Sequence, residues 1–155
     1  MAREKKPITY NYQVVMEQLP LVKEAATLST KTPDDVYRDC KDLADLAQEA
    51  FQVLSLNTKN FIINRTMVSL GLADASLVHP REVFRPLITD GACAGILVHN
   101  HPSGDPTPSA EDIRITKQMV DAGKLIDIRI LDHIIIGRGE KKYLSMREEG
   151  IIDFG

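Results

Sequence analysis

Apolar and polar positions alternate along this chain in two different periods. Residues 8–16 carry Tyr10, Tyr12, Val14 and Val15 in partial alternation, which predicts a strand at a sheet edge. Residues 17–32 stay ambiguous between a short helix and a loop. The period then lengthens: Val36, Cys40, Leu43 and Leu46-Ala47 recur at helical spacing, ending near Ala47 or Gln48. Thr32-Pro33-Asp34-Asp35 starts that helix, with Thr32 as N-cap, Pro33 at the first helical position and acids in the first turn.

Residues 49–56 return to a strand pattern through Phe51, Val53 and Leu54. Asn57-Thr58-Lys59-Asn60 is turn chemistry, and residues 61–70 are the expected hairpin partner. Residues 71–78 are small and polar, a connection with room for a short strand. A helix follows from His79-Pro80-Arg81-Glu82, with Val83-Phe84 and Leu87-Ile88 on one face. It stops at Asp90-Gly91, where glycine suits a left-handed cap. The run Ala94-Gly95-Ile96-Leu97-Val98 predicts a buried strand, and residues 109–122 a helix with Gly123 as its cap. Residues 125–131 and 133–136 are β-rich, and residues 143–146 make a last short strand. Strands and helices mix without strict alternation. The fold class is α/β, a mixed β-sheet flanked by helices.

At 155 residues the chain suits one main domain. Residues 1–32 divide off as an N-terminal extension with the edge strand, and residues 33–155 form the domain. A net charge of -3 and a pI near 5.8 give no electrostatic footprint for nucleic acid. Cys40 and Cys93 match no zinc spacing, and Cys93 reads as a small core residue. No signal peptide and no membrane-crossing apolar run are expected, so a reducing cytoplasmic setting is the default.

Chemistry concentrates after the buried strand, in His99-Asn100-His101-Pro102-Ser103-Gly104 and on to Asp112. Strand alternation sends His99 and His101 to one face and Asn100 to the other, where it ties down a loop backbone. A tight Gly/Pro turn leads into a helix whose first turn carries Asp112. Two imidazoles and a carboxylate suit zinc, with a fourth position open to water. Ser109-x-x-Asp112 is equally a capping box, and the two readings are compatible. Ser109 can cap the helix while Asp112 faces a metal.

A zinc hydrolase also needs a base. Glu49, Glu82, Asp105, Glu111, Asp121 and Asp132 are available, and chemistry alone does not choose among them. Glu49 stands out because it opens an otherwise apolar strand. Asp132-His133 on a late strand can orient the imidazoles, or can be a satisfied strand-end pair.

These residues resemble the RadC family, a bacterial branch of the JAMM (MPN+ or JAB) metalloprotease superfamily. The superfamily signature, a distant Glu followed by H-x-H-x7-S-x2-D, is met by His99, His101, Ser109 and Asp112. The RadC-like wording is present in HPREVF at 79–84, HNHPSG at 99–104, PSAED at 108–112 and LDHIIIG at 131–137. Residues 49–56 fit the E-x-F-x-V-L-x-L strand that carries the distant Glu. The resemblance covers roughly residues 33–150.

It implies a cytidine-deaminase-like JAB/MPN fold, without a deaminase signature. It also implies zinc held by His99, His101 and Asp112, Glu49 as general base, and Ser109 stabilising an oxyanion. The implied activity is a zinc metallopeptidase acting on peptide or isopeptide bonds of a protein or peptide substrate. A non-catalytic binding module on the same fold is the alternative. RadC-like proteins usually carry a helix-hairpin-helix segment ahead of this domain. Residues 1–32 are too short for one, which weakens any DNA-related role and leaves a link to DNA metabolism only with the binding-module alternative.

Overall fold

The computed structural model describes residues 29–71 and 78–155. The strand expected at 8–16 lies outside these residues, as does most of the ambiguous stretch at 17–32 and most of the connection at 71–78.

Helix α1, Pro33–Cys40, starts as its sequence dictates. The Thr32 hydroxyl accepts from Asp35 N, and the Asp35 carboxylate accepts from Thr32 N, a complete capping box. The helix ends earlier than its apolar spacing suggests. It tightens into a 3-10 turn over Lys41–Asp45, and Leu46 is already extended. The Arg65 guanidinium takes the Asp39 carbonyl and the Asp42 carboxylate, which pins the chain at that point.

Strand β1, Ala50–Leu56, and strand β2, Ile62–Leu70, form the expected antiparallel hairpin. Helix α2 spans Pro80–Thr89, strand β3 Ala94–Asn100, helix α3 Ala110–Ile126, strand β4 Arg129–Ile136 and strand β5 Tyr143–Ser145. The sheet order is β2-β1-β3-β4-β5. Among the described residues, only β3 and β4 run parallel, with α3 as the crossover between them. The architecture is α/β, a mixed five-stranded sheet flanked by three helices, as a JAB/MPN-like fold requires.

All seven residues of β1 and of β3 are buried, because helices cover both sheet faces. Phe51, Val53, Leu97 and Ile135 pack with α2 and α3 on one face. Leu54, Leu56, Ile96, Val98 and Ile134 pack with α1 on the other. Each such side chain contributes about 1.5–3 kcal/mol by leaving water. The strands are therefore rigid mounts for whatever their ends carry.

Four local expectations are corrected. Cys93 is exposed rather than in the core: its backbone N–H continues toward the Leu56 carbonyl while the side chain turns out. Ile88 is 62% exposed, because it lies about 100° around the helix from Leu87 and leaves the apolar face. Gly123 lies inside α3, and the left-handed cap is Asp127 at φ 56. A Cβ on Gly123 would sit 2.4 Å from the Ile128 carbonyl oxygen, so glycine is needed for close approach. Leu125 belongs to the last turn of α3 and is 88% exposed, so the β-rich stretch starts later, at Arg129.

Candidate metal centre

The carboxyl end of β3 delivers the two imidazoles. His99 pairs with Phe51 of β1 on one side and Ile135 of β4 on the other. His101 follows just beyond the strand, with its N–H on the Ile136 carbonyl. Both rings project to the α3 side. Residues 102–108 then turn back, and α3 begins under its Ser109 cap.

The cap and the cluster share one carboxylate. Ser109 Oγ accepts from Asp112 N at 3.0 Å, and Asp112 Oδ2 accepts from Ser109 N at 2.8 Å. The same Oδ2 is 3.2 Å from His101 Nε2, and Oδ1 is 3.4 Å from His99 Nε2. The two Nε2 atoms are 2.9 Å apart. One atom from each of His99, His101 and Asp112 lies within 4.8 Å of the others, so the cluster can hold a metal ion.

The donor chemistry fits that use. His101 Nδ1 is 2.8 Å from the Asp105 carbonyl oxygen, which only accepts, so Nδ1 carries the proton. A neutral His101 then aims the Nε2 lone pair at its two neighbours. A lone pair, a carboxylate and a second imidazole nitrogen converge, and a cation relieves their mutual repulsion. Burial opposes charge on His101, but the Asp112 carboxylate and the Asp105 carbonyl outweigh it. They hold the pKa of His101 above the ordinary imidazole value. Burial likewise opposes charge on Asp112, and His101 and His99 reverse it, holding the carboxyl well below the usual carboxylate range.

Glu49, just before β1, reaches the same point: its Oε1 is 3.9 Å from His99 Nε2. Its side chain is 28% exposed, against 1% for His99, 4% for Asp112 and 17% for His101. It is the wet member of the group. Four of the other five candidate acids are occupied elsewhere. Glu82 pairs with Arg81 and Arg85, and Glu111 pairs with Arg114. The Asp105 carboxylate accepts from Thr107. Asp132 is turned to the far side, where it accepts from Ser145 Oγ and Arg147 N. Burial raises its pKa against those bonds.

Of the Asp132-His133 pair, therefore, only His133 faces the cluster. His133 Nε2 is 2.7 Å from His99 Nδ1, and its Nδ1 is 2.6 Å from Thr116 Oγ1. Burial and the neighbouring His99 hold its pKa well below the ordinary value. Asn100, on the opposite strand face, does tie down a backbone. Its Oδ1 accepts from Ala50 N at 2.7 Å and its Nδ2 donates to Gln48 O at 3.1 Å, bracketing Glu49.

The sequence reading took Phe51 only as a strand residue and passed over Thr116. Phe51 stacks on His99 with ring centroids 5.8 Å apart and meets His133 edge-on. Its signal was available, since it lies two residues after Glu49 on the same strand face. Thr116 lies four residues after Asp112, on the same helix face, which is where a supporting hydroxyl belongs.

A family model described as RadC-like JAB domain matches residues 30–151. The chain belongs to the RadC-like JAB domain family. A UPF0758 protein of Caldanaerobacter subterraneus subsp. tengcongensis is 45% identical over 138 residues, covering 88% of this chain and 58% of the relative. A UPF0758 protein of Desulforamulus reducens is 52% identical over 123 residues, covering 79% and 53%. One of Methanosarcina barkeri is 47% identical over 122 residues, covering 78% and 52%. This RadC-like chain thus spans about half the length of the curated relatives it matches. Among its described residues, no helix is long and apolar enough to cross a membrane.

Proposed function

We propose that this RadC-like domain is a zinc-dependent hydrolase of peptide or isopeptide bonds. The observation that carries the reading is the convergence of His99 Nε2, His101 Nε2 and the Asp112 carboxylate beside the half-wet Glu49. His99, His101 and Asp112 would hold zinc, whose bound form supplies a Lewis acid that acidifies water and polarises a carbonyl. Two nitrogens and one oxygen are a donor set zinc accepts, and three protein ligands are the number of an open, catalytic site.

Glu49 takes the proton of the attacking water and returns it to the leaving amine. Its partial exposure suits this work, because the carboxylate must meet both water and substrate. Ser109 accepts from Asp112 N, and its own hydroxyl proton remains to be donated to the developing oxyanion. Protein or peptide substrates reach the centre where the half-buried His101 and Glu49 meet solvent.

The test pairs metal content with turnover. Glu49→Gln keeps the shape of the side chain but takes no proton. Zinc should stay at the wild-type level while hydrolysis of peptide and isopeptide conjugates falls by on the order of 10²–10⁴. Loss of zinc from this variant would make Glu49 a ligand. Full activity with zinc in place would remove it from the base role.

A further inference from the structure

Behind the converging donors lies a second layer of polar groups that the core encloses. Thr116 Oγ1 is 2.6 Å from the Asp112 backbone oxygen, His133 Nδ1 is 2.6 Å from Thr116 Oγ1, and His133 Nε2 is 2.7 Å from His99 Nδ1. His99, His133 and Thr116 are all 0% exposed. Buried groups of this kind must satisfy one another.

The direction of the chain follows from its end. A backbone carbonyl only accepts, so Thr116 donates its one hydroxyl proton to Asp112 O. The Thr116 oxygen is then left to accept, which places a proton on His133 Nδ1. A neutral His133 presents a bare Nε2, and that atom accepts from His99 Nδ1–H. His99 Nε2 is left without a proton, pointing at His101 and Asp112.

We infer that His133 and Thr116 are positioning residues that lock His99 in its Nδ1–H tautomer and tie it, through Thr116, to the helix turn that carries Asp112. The lock spans three elements: β3 gives His99, β4 gives His133 and α3 gives Thr116. Phe51 stacks on the His99 ring and limits its rotation away from its partner. The use of this tautomer, a bare Nε2 for zinc, rests on the metal reading proposed above. The tautomer itself does not.

Two measurements separate those claims. Long-range nitrogen–proton NMR on the metal-free wild type reads the tautomer directly. His99 and His133 should both show a protonated Nδ1 and a bare Nε2. A protonated Nε2 on His99 would overturn the inference, with no variant needed. Zinc affinity is then measured by chelator competition on Thr116→Val, which keeps the shape and removes the hydroxyl, and on Thr116→Ser, which keeps it. Thr116→Val should bind zinc about 10–100-fold more weakly, the usual cost of losing such support. Thr116→Ser should restore wild-type affinity even though the loss of a buried methyl lowers its melting temperature. Equal affinity in the valine and serine variants would overturn the positioning role. A wild type that shows the stated tautomers yet binds no zinc would support the lock and sink the metal reading alone.

Discussion

His99 and His101 leave the same strand face two residues apart, yet they meet opposite walls. His99 meets the core wall, built from β1, β4 and α3, where a side-chain nitrogen holds its Nδ1 and an aromatic ring stacks on its face. His101 meets the loop wall, residues 102–108, where a backbone carbonyl holds its Nδ1. The core wall is dry and its groups can satisfy only each other. The loop wall is wet and its order comes from backbone geometry. The Gly104 N–H donates to His101 O, and Arg138 N–H donates to Gly104 O. Gly137 underlies both, since a Cβ there would lie 2.5 Å from the Gly104 oxygen and 2.8 Å from Pro106 Cδ. One site thus joins a donor set by packing and a donor set by a turn.

Asp112 bridges the two walls, so its loss is the largest break. In Asp112→Ala, zinc binding measured by elemental analysis should fall to background. The reciprocal cap goes with it, lowering stability by about 1–2 kcal/mol in chemical denaturation. A variant that keeps its zinc would show that the imidazoles suffice.

Gly137→Ala attacks the loop wall alone. The added methyl must push residues 104–106 outward, at a cost of about 1–3 kcal/mol. His101 should lose its Asp105 contact while the His99–His133 contact survives, a split that NMR of the ring nitrogens resolves. Perturbation of both histidines would mean that the walls are mechanically one.

Ser109→Ala is milder in stability, about 1 kcal/mol for the cap. In the hydrolase reading it also removes most activity, so melting and turnover should fall together. Normal values of both would clear Ser109 of both roles.

The smallest effect is a pH signature that belongs to the loop wall. The pKa of metal-free His101 is raised by folding above its unfolded value near 6.5. Its contribution to stability is therefore complete below that value and is lost as pH rises through the raised one. The melting temperature of the metal-free protein should drift down over that window. Zinc displaces the proton, so the loaded protein should lose this dependence, and its zinc affinity should weaken as the pH falls. An identical pH profile with and without metal would break the assignment.

The loop wall was the more legible of the two. HxH alternation, the Gly/Pro turn and Ser109-x-x-Asp112 are contiguous, so local rules placed them. Core-wall partners come from distant strands, and their meeting depends on register. That is why only the register of β4 tells Asp132 and His133 apart, one buried against each face of the sheet. The roles of Thr116 and Phe51 went unread for the same reason, since each looks like ordinary core on its own element. Among the fold elements, the capped helices and the hairpin followed their sequence signals. The end of α1 did not, because Arg65, from another strand, decides it. The boundary between α3 and β4 was misplaced because Gly123 is small for contact rather than for conformation.

The Asn100 clamp gives the site a clock of its own. The Ala50 amide hydrogen is held by a side-chain oxygen, so its exchange with deuterium counts how often Asn100 lets go. Each release loosens the peptide on either side of Glu49 from β3, while the Glu49 carbonyl still accepts from Gly71 N–H and His99, one residue before Asn100, stays registered against Phe51. The exchange rate of that one amide therefore reads how firmly the backbone beside Glu49 is held, separately from the strand that carries His99.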